Sequence, residues 1–251
     1  MLAGEPIPTT LDLFLGGKLV LRQPYTGYRA GFDPVFLAAA VTAFADAEVL
    51  DMGSGIGTAG LCLLARLPTI TVTGVELQPP LADLARQNAA ANGLEGRYQV
   101  VEGCLASRPL ALRGRAFDHV ITNPPWYEPG TIRPPRADSK ATGHLEGSAD
   151  LDEWLKAASR YLKPKGQLWL IHRADHLGRI MAGLAGLPLG EIRVVPVWPK
   201  RNRAATRVLV TARKDSKAPM ELLPGLVAHD EDGAYSQAAE AILREGSAWH
   251  F

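Results

Sequence analysis

Strand-like and helix-like segments alternate from residue 47 to residue 123, and this alternation constrains the fold more than any other feature of the chain. "AEVLDMG" at 47–53 reads as a buried strand entering a turn, and "GTAGLCLLARL" at 57–67 has apolar residues at helical spacing. "TITVTGVEL" at 69–77 is rich in β-branched residues and reads as a second strand. A helix over 79–93 follows, with prolines at its start and a glycine just past its end. Strands over 97–103 and 116–123 come next, then a helix over 150–166 and a strand over 166–172. A helix at about 174–186 and strands near 190–198 and 205–213 continue the pattern. Such an order requires right-handed βαβ crossovers and covers both faces of the sheet. The expected fold is therefore α/β: a doubly wound, mostly parallel, seven-stranded sheet of the Rossmann-like kind.

The chain has 251 residues, 47% hydrophobic and 21% charged, enough to bury the core of one large α/β domain. We expect a core over 47–215, an N-terminal segment over 1–46 that covers it, and a tail over 216–251 carrying a helix. With a net charge of +1, a nucleic-acid partner must be met by a local patch. Cys62 and Cys104 have no CxxC spacing and no histidine cluster, which argues against zinc and disulfides and suits a reducing compartment. The N-terminus lacks a basic start followed by a clean apolar run. The most apolar stretch, 34–45, falls short of the roughly 20 residues of a membrane span. A cytoplasmic protein without membrane contact or metal is the expectation.

Ligands in parallel sheets bind beyond the carboxyl ends of the strands, and the unusual polar residues of this chain fall there. "DMGSGIGTAG" carries Gly53, Gly55 and Gly57, with Asp51 closing the strand before them. Glycines let the backbone approach a ligand closely, and the following helix presents free N–H groups. A dinucleotide fingerprint would place its third glycine at position 58, which holds Thr58. An acid at Asp51 would repel a pyrophosphate and attract an ammonium, so the turn suits S-adenosylmethionine better. Glu76 ends the next strand, where a carboxylate accepts both ribose hydroxyls of either cofactor type. The segment 23–39 before the first strand, with Asp33-Pro34 as a helix start, reads equally as a lid over the cofactor or as an N-terminal helix after a turn.

The fourth strand of this series ends in "ITNPPWYEPG" at 121–130. Pro124 and Pro125 fix φ and supply carbonyls without competing N–H groups. The amide oxygen of Asn123 and a proline carbonyl make two rigid acceptors aimed at one point, which suits the two donors of an –NH₂ group. Trp126 adds a face on which a planar base stacks, worth about 1–3 kcal/mol. Two acceptors pulling on the N–H bonds of an exocyclic amine turn its lone pair out of the ring plane. With a sulfonium methyl in line, displacement then needs orientation and electrostatics rather than a metal or a covalent intermediate.

Together, the glycine loop, Glu76 and "NPPW" resemble the class I S-adenosylmethionine-dependent N-methyltransferases that carry an NPP[YFW] motif. "GGKLVLRQPYTGYRAGFDPVFLAAAV" and "KRNRAATRVLV" are similar to the bacterial valine-tRNA adenine N6-methyltransferases, which modify the adenine just 3′ of the anticodon; the likeness runs from about residue 10 to about residue 213. The resemblance implies Asn123, Pro124 and Pro125 at the target amine and Trp126 under the base. It implies Asp51, Gly53, Gly55, Gly57 and Glu76 at the cofactor, and Tyr28, Arg29, Gly31 and Asp33 in a lid over its methionine end. Cys104 stands where such enzymes commonly carry an aspartate for the cofactor's adenine, so Glu102 or the backbone takes that contact or affinity is weakened. The product cofactor is S-adenosylhomocysteine.

Lys200, Arg201, Arg203, Arg207, Arg213 and Lys214 lie between 200 and 214 with no acid among them, and Arg133, Arg136 and Lys140 follow the NPPW corner. These clusters read as a phosphate-binding footprint for tRNA, against the plainer reading of solvated charge. His119, His172 and His176 have no ligand spacing and read as structural. Competing readings are a glutamine N5-methyltransferase acting on a release factor, an rRNA or DNA amine methyltransferase, an NAD-dependent dehydrogenase and a non-catalytic RNA-binding module. Oligomeric state is not legible.

Overall fold

In the computed structural model, which describes residues 8–27, 29–105, 108–124 and 151–251, the alternating segments form the expected sheet. Strands β3 (Glu48–Met52), β4 (Thr71–Glu76), β5 (Tyr98–Glu102), β6 (Phe117–Thr122) and β7 (Leu162–Arg173) run parallel. Strand β9 (Arg207–Lys214) lies antiparallel between β7 and β8 (Leu189–Trp198). These seven stand in the order β8-β9-β7-β6-β3-β4-β5. The tail adds β10 (Glu221–Leu222) and β11 (Leu226–Val227), both parallel to β8, so the observed sheet has nine strands.

Period-two alternation sends neighbouring residues of each strand to opposite faces, and both faces are covered. Val49 of β3 and Trp169 and Ile171 of β7 pack with α1 (Asp33–Ala40), α2 (Thr58–Arg66) and α3 (Pro79–Ala91). Leu50, Met52, Leu168 and Leu170 pack on the other face with α4 (Leu151–Tyr161) and α5 (Leu177–Ala185). The helix expected over 150–166 stops at Tyr161. Pro164 cannot continue a helix and pushes Lys163 toward extended backbone, so Leu162 already belongs to β7. A bulge follows, with Lys165 at φ +65° and register shifting between Phe117 and His119 of β6. Gly166 is needed there, because a Cβ would lie 2.9 Å from Lys163 O and 3.0 Å from Asp118 O.

Ahead of the core, β1 (Thr9–Phe14) and β2 (Leu19–Pro24) form an antiparallel hairpin that sequence reading did not anticipate. Two asparagines four residues apart, Asn88 on α3 and Asn92 at its C-cap, complete its edge. Asn92 accepts from Val20 N at 2.9 Å and donates to Val20 O at 2.9 Å; Asn88 accepts from Arg22 N at 2.7 Å and donates to Arg22 O at 3.1 Å. Each amide thus imitates the next strand of a sheet, on one helix face.

The tail helix expected near the C-terminus is α6 (Gln237–Glu240), capped by Ser236 Oγ accepting from Ala239 N at 3.2 Å and continuing as a π-turn to Glu245. Ala239, Ile242 and Trp249 are buried, with Trp249 edge-on to Phe36 of α1 at 6.1 Å. Among the described residues no helix is long and apolar enough to cross a membrane.

Candidate active site

Register brings the carboxyl ends of β3, β4 and β6 together: Met52 pairs with Val75 on one side and Thr122 on the other. The glycine loop leaves β3 at Gly53, and the asparagine–proline corner leaves β6 at Asn123, so the two emerge side by side. Gly53, Gly55 and Gly57 take φ of +70°, +55° and +87°, the left-handed region that glycine enters without a Cβ penalty. Gly53 N and Ser54 N both donate to Val75 O, at 2.9 and 3.0 Å, folding the loop back over β4.

Glu76 ties that fold together. Its buried carboxylate, 6% exposed, accepts from Gly55 N at 2.8 Å and from Gln78 N at 2.9 Å. Both oxygens retain a second lone pair for a ligand hydroxyl. Asp51, 2% exposed, is turned inward and accepts from Gly60 N at 3.1 Å, one of the N–H groups the first turn of α2 leaves unsatisfied. It serves the start of α2 directly. Burial, together with the Glu76 charge, pushes its acidity to about 7 against the Gly60 hydrogen bond. The folded state then holds a proton the unfolded chain has released, so this contribution to stability is full below about pH 4 and is lost as pH rises toward 7. Denaturation at a series of pH values checks this: Asp51→Asn should flatten the loss between pH 4 and pH 7, at most about 4 kcal/mol by linkage.

Beneath the loop lies the ring of Tyr98, a residue sequence reading passed over. Three glycines make room for it: a Cβ at Gly57 would lie 3.1 Å from Tyr98 Oη, one at Gly74 2.5 Å from Oη, and one at Gly60 2.5 Å from Cε2. Among the described residues Thr58 Oγ1 is buried without a hydrogen-bond partner, and the Tyr98 hydroxyl lies beside the Ser54 side chain. Bare left-handed backbone and a carboxylate at the next strand end fit a cofactor with a ribose and an amino-acid moiety. Asn88, 1% exposed, also donates to Ile56 O at 3.0 Å, locking the N-terminal hairpin to this loop.

Asn123 is half-buried and Pro124 buried. Pro125, Trp126, Tyr28, Arg133, Arg136 and Lys140 lie outside the described residues. Within the segment 23–39, Asp33 begins α1 with Pro34 in the first turn, and the helix runs over 33–40. Gly31 is exposed, and Arg29 is engaged by Asp12, with a further bond to Pro24 O at 2.9 Å.

Several of the expected site residues have protein partners of their own. Arg207 is not a free cation: its Nε donates to Asp33 Oδ2 at 2.8 Å, with the pair only 21% and 14% exposed, and its guanidinium lies 5.8 Å from the Phe32 ring centroid. Glu102 pairs with Arg86 at 2.7 Å, while Cys104 is half-buried after β5. The basic run of 200–214 also divides. Arg201 and Arg203 are exposed and Lys200 half-buried in the turn 199–206, at the carboxyl end of the sheet; Lys200 donates to Glu231 O at 2.8 Å. Arg213 and Lys214 sit at the opposite end of β9, bound to Glu191 and to the carbonyls of Ser159 and Leu162. His119 accepts from Trp169 Nε1 at 3.2 Å, and burial lowers its basicity to about 4, in keeping with a structural role. Among the described residues no group of three or more His, Cys, Asp or Glu side chains is arranged to hold a metal ion.

Residues 35–182 match the methyltransferase small domain family. A Porphyromonas gingivalis (strain W83) tRNA1(Val) (adenine(37)-N6)-methyltransferase is 30% identical over 237 residues, covering 90% of this chain and 91% of that one. The enzyme of the same description from Aeromonas hydrophila is 30% identical over 83% of this chain and 85% of its own. Among solved structures, an Agrobacterium tumefaciens protein described as a predicted O-methyltransferase superposes with a TM-score of 0.71 at 26% identity, over 86% of this chain and 98% of that one.

Proposed function

The chain belongs to the methyltransferase small domain family and to that of the tRNA1(Val) (adenine(37)-N6)-methyltransferases, and on this premise we propose that it methylates the N6 amine of an adenine in tRNA, with S-adenosylmethionine as donor. The target is the adenine 3′ of the anticodon of tRNA-Val. One observation carries the chemistry: the Met52–Thr122 register, which sets the cofactor loop and the Asn123 corner next to each other at the carboxyl edge.

When bound, S-adenosylmethionine supplies an electrophilic methyl group. Glu76 holds the ribose hydroxyls, and the left-handed glycines let the backbone lie close against the methionine moiety. Asn123 accepts one hydrogen bond from the substrate amine and the Pro124 carbonyl a second, turning the nitrogen lone pair out of the base plane. Pro125 stiffens the corner and Trp126 stacks on the adenine. Acceleration comes from orientation and preorganised acceptors. On this reading residues 47–215 are the catalytic core, and 1–46 close over it through the hairpin that Asn88 ties to the loop. A nucleotide of a single-stranded loop enters such a pocket at less cost than a paired one.

Lys200, Arg201 and Arg203 on the carboxyl edge, with Arg133, Arg136 and Lys140, take the tRNA phosphates. Replacing Arg201 or Arg203 by alanine should lower the salt slope of tRNA binding by about one phosphate contact each. Lys214→Ala, at the far end of β9, should leave that slope unchanged. Filter binding between low and moderate salt reads both; an equal slope in all three variants removes the patch.

The direct test is incubation with tritiated S-adenosylmethionine and unmodified tRNA, followed by nucleoside identification. Label in N6-methyladenine supports the assignment. Label appearing only when a release factor is supplied moves it to the glutamine N5 amide.

A further inference from the structure

Trp154 lies on α4, far in sequence from both halves of the site, and touches both. Its indole N–H donates to Thr122 Oγ1 at 2.7 Å, and the Thr122 hydroxyl donates to Met52 O at 2.9 Å. Thr122 immediately precedes Asn123, and Met52 immediately precedes Gly53. The six-membered edge of the same indole lies against the loop: a Cβ at Gly53 would sit 3.0 Å from both Cη2 and Cζ2. One side chain therefore braces the last residue of β6 by a hydrogen bond and the first loop residue after β3 by contact. Leu155 and Leu151 anchor α4 in the core below, so the indole is carried on a rigid element.

We propose that Trp154 is a positioning residue that sets the spacing between the cofactor loop and the amine-holding corner. It does so through Thr122 on one side and the face of Gly53 on the other. The inference rests on the reading of Asn123 as an amine acceptor. The two contacts predict separable effects. The hydrogen-bonded relay acts on the corner and so on turnover; the ring face supports the loop and so cofactor affinity. Displacing a reacting group by about 1 Å can cost about a hundredfold in rate, which sets the scale.

Four variants test this. Trp154→Phe removes the N–H together with the Cζ2 and Cη2 edge that faces Gly53. Thr122→Val removes the hydroxyl in the same volume, Thr122→Ser keeps it, and Trp154→Ala removes the ring. Trp154→Phe and Thr122→Val should each lower kcat about 10- to 100-fold, and Thr122→Val should bind S-adenosylhomocysteine within threefold of wild type by calorimetry. Thr122→Ser should turn over close to wild type. The Trp154→Phe/Thr122→Val double variant should be no worse than the weaker single, because both break one path. Trp154→Ala should weaken S-adenosylhomocysteine binding at least tenfold. The proposal is overturned if Trp154→Phe and Thr122→Val turn over within twofold of wild type. It is equally overturned if Thr122→Ser loses as much as Thr122→Val, if the double variant multiplies the single losses, or if Trp154→Ala binds the cofactor normally. Calorimetry needs no acceptor, so a wild-type protein that fails to methylate tRNA refutes the substrate assignment while leaving the Trp154→Ala arm to decide the loop half.

Discussion

Asn123→Ala should abolish methyl transfer, by at least about a thousandfold, while S-adenosylhomocysteine still binds with near-wild-type affinity. The amide oxygen is one of two acceptors that hold the amine, and losing a preorganised electrostatic partner commonly costs 10²–10³ in rate. The same acceptor positions the nitrogen, so the two losses combine. Cofactor binding is spared because the loop is held by Val75 O, Glu76 and Asn88, none of which involves the Asn123 side chain. Single-turnover methylation with calorimetry on the same preparation reads both quantities. Wild-type-like turnover in this variant would remove the two-acceptor mechanism.

Glu76→Ala should fail at the other half of the site. Its carboxylate receives Gly55 N and Gln78 N at 2.8 and 2.9 Å and is also the ribose acceptor. Truncation leaves the buried Gly55 N–H without a partner, at about 1–3 kcal/mol, opens the N–H of exposed Gln78 to water, and removes the contact to the ligand. We expect cofactor affinity at least about a hundredfold weaker and a lowered melting temperature. Glu76→Gln should recover much of the stability, since an amide oxygen still accepts from one N–H, but little of the affinity. Equal cofactor binding in wild type and Glu76→Ala would show that the ribose is held elsewhere.

The two variants separate because the site has two independent supports. The loop depends on left-handed glycines and a buried carboxylate; the corner depends on the end of β6. Asp51 belongs with the first but serves it from beneath, accepting from Gly60 N at the start of α2. An acid at that position is legible in the chain, whereas the direction in which it points is not.

The succession of strands and helices, the mostly parallel core it implies and the glycine turn are determined by the sequence itself, because each depends on local signals. Period-two and period-3.6 patterns are complete within ten residues, and the φ of Gly53, Gly55 and Gly57 is a property of a single turn. The asparagine–proline corner is legible for the same reason. Tertiary structure alone decided which charges and amides are free. Arg207 stands in a basic run, yet it is paired with Asp33, 174 positions away. The N-terminal hairpin is held by Asn88 and Asn92, which in sequence are only polar positions on a helix. Trp154 reaches Thr122 across 32 residues. Such partners are chosen by strand register and helix rotation, quantities the whole sheet sets at once and no short window of sequence contains.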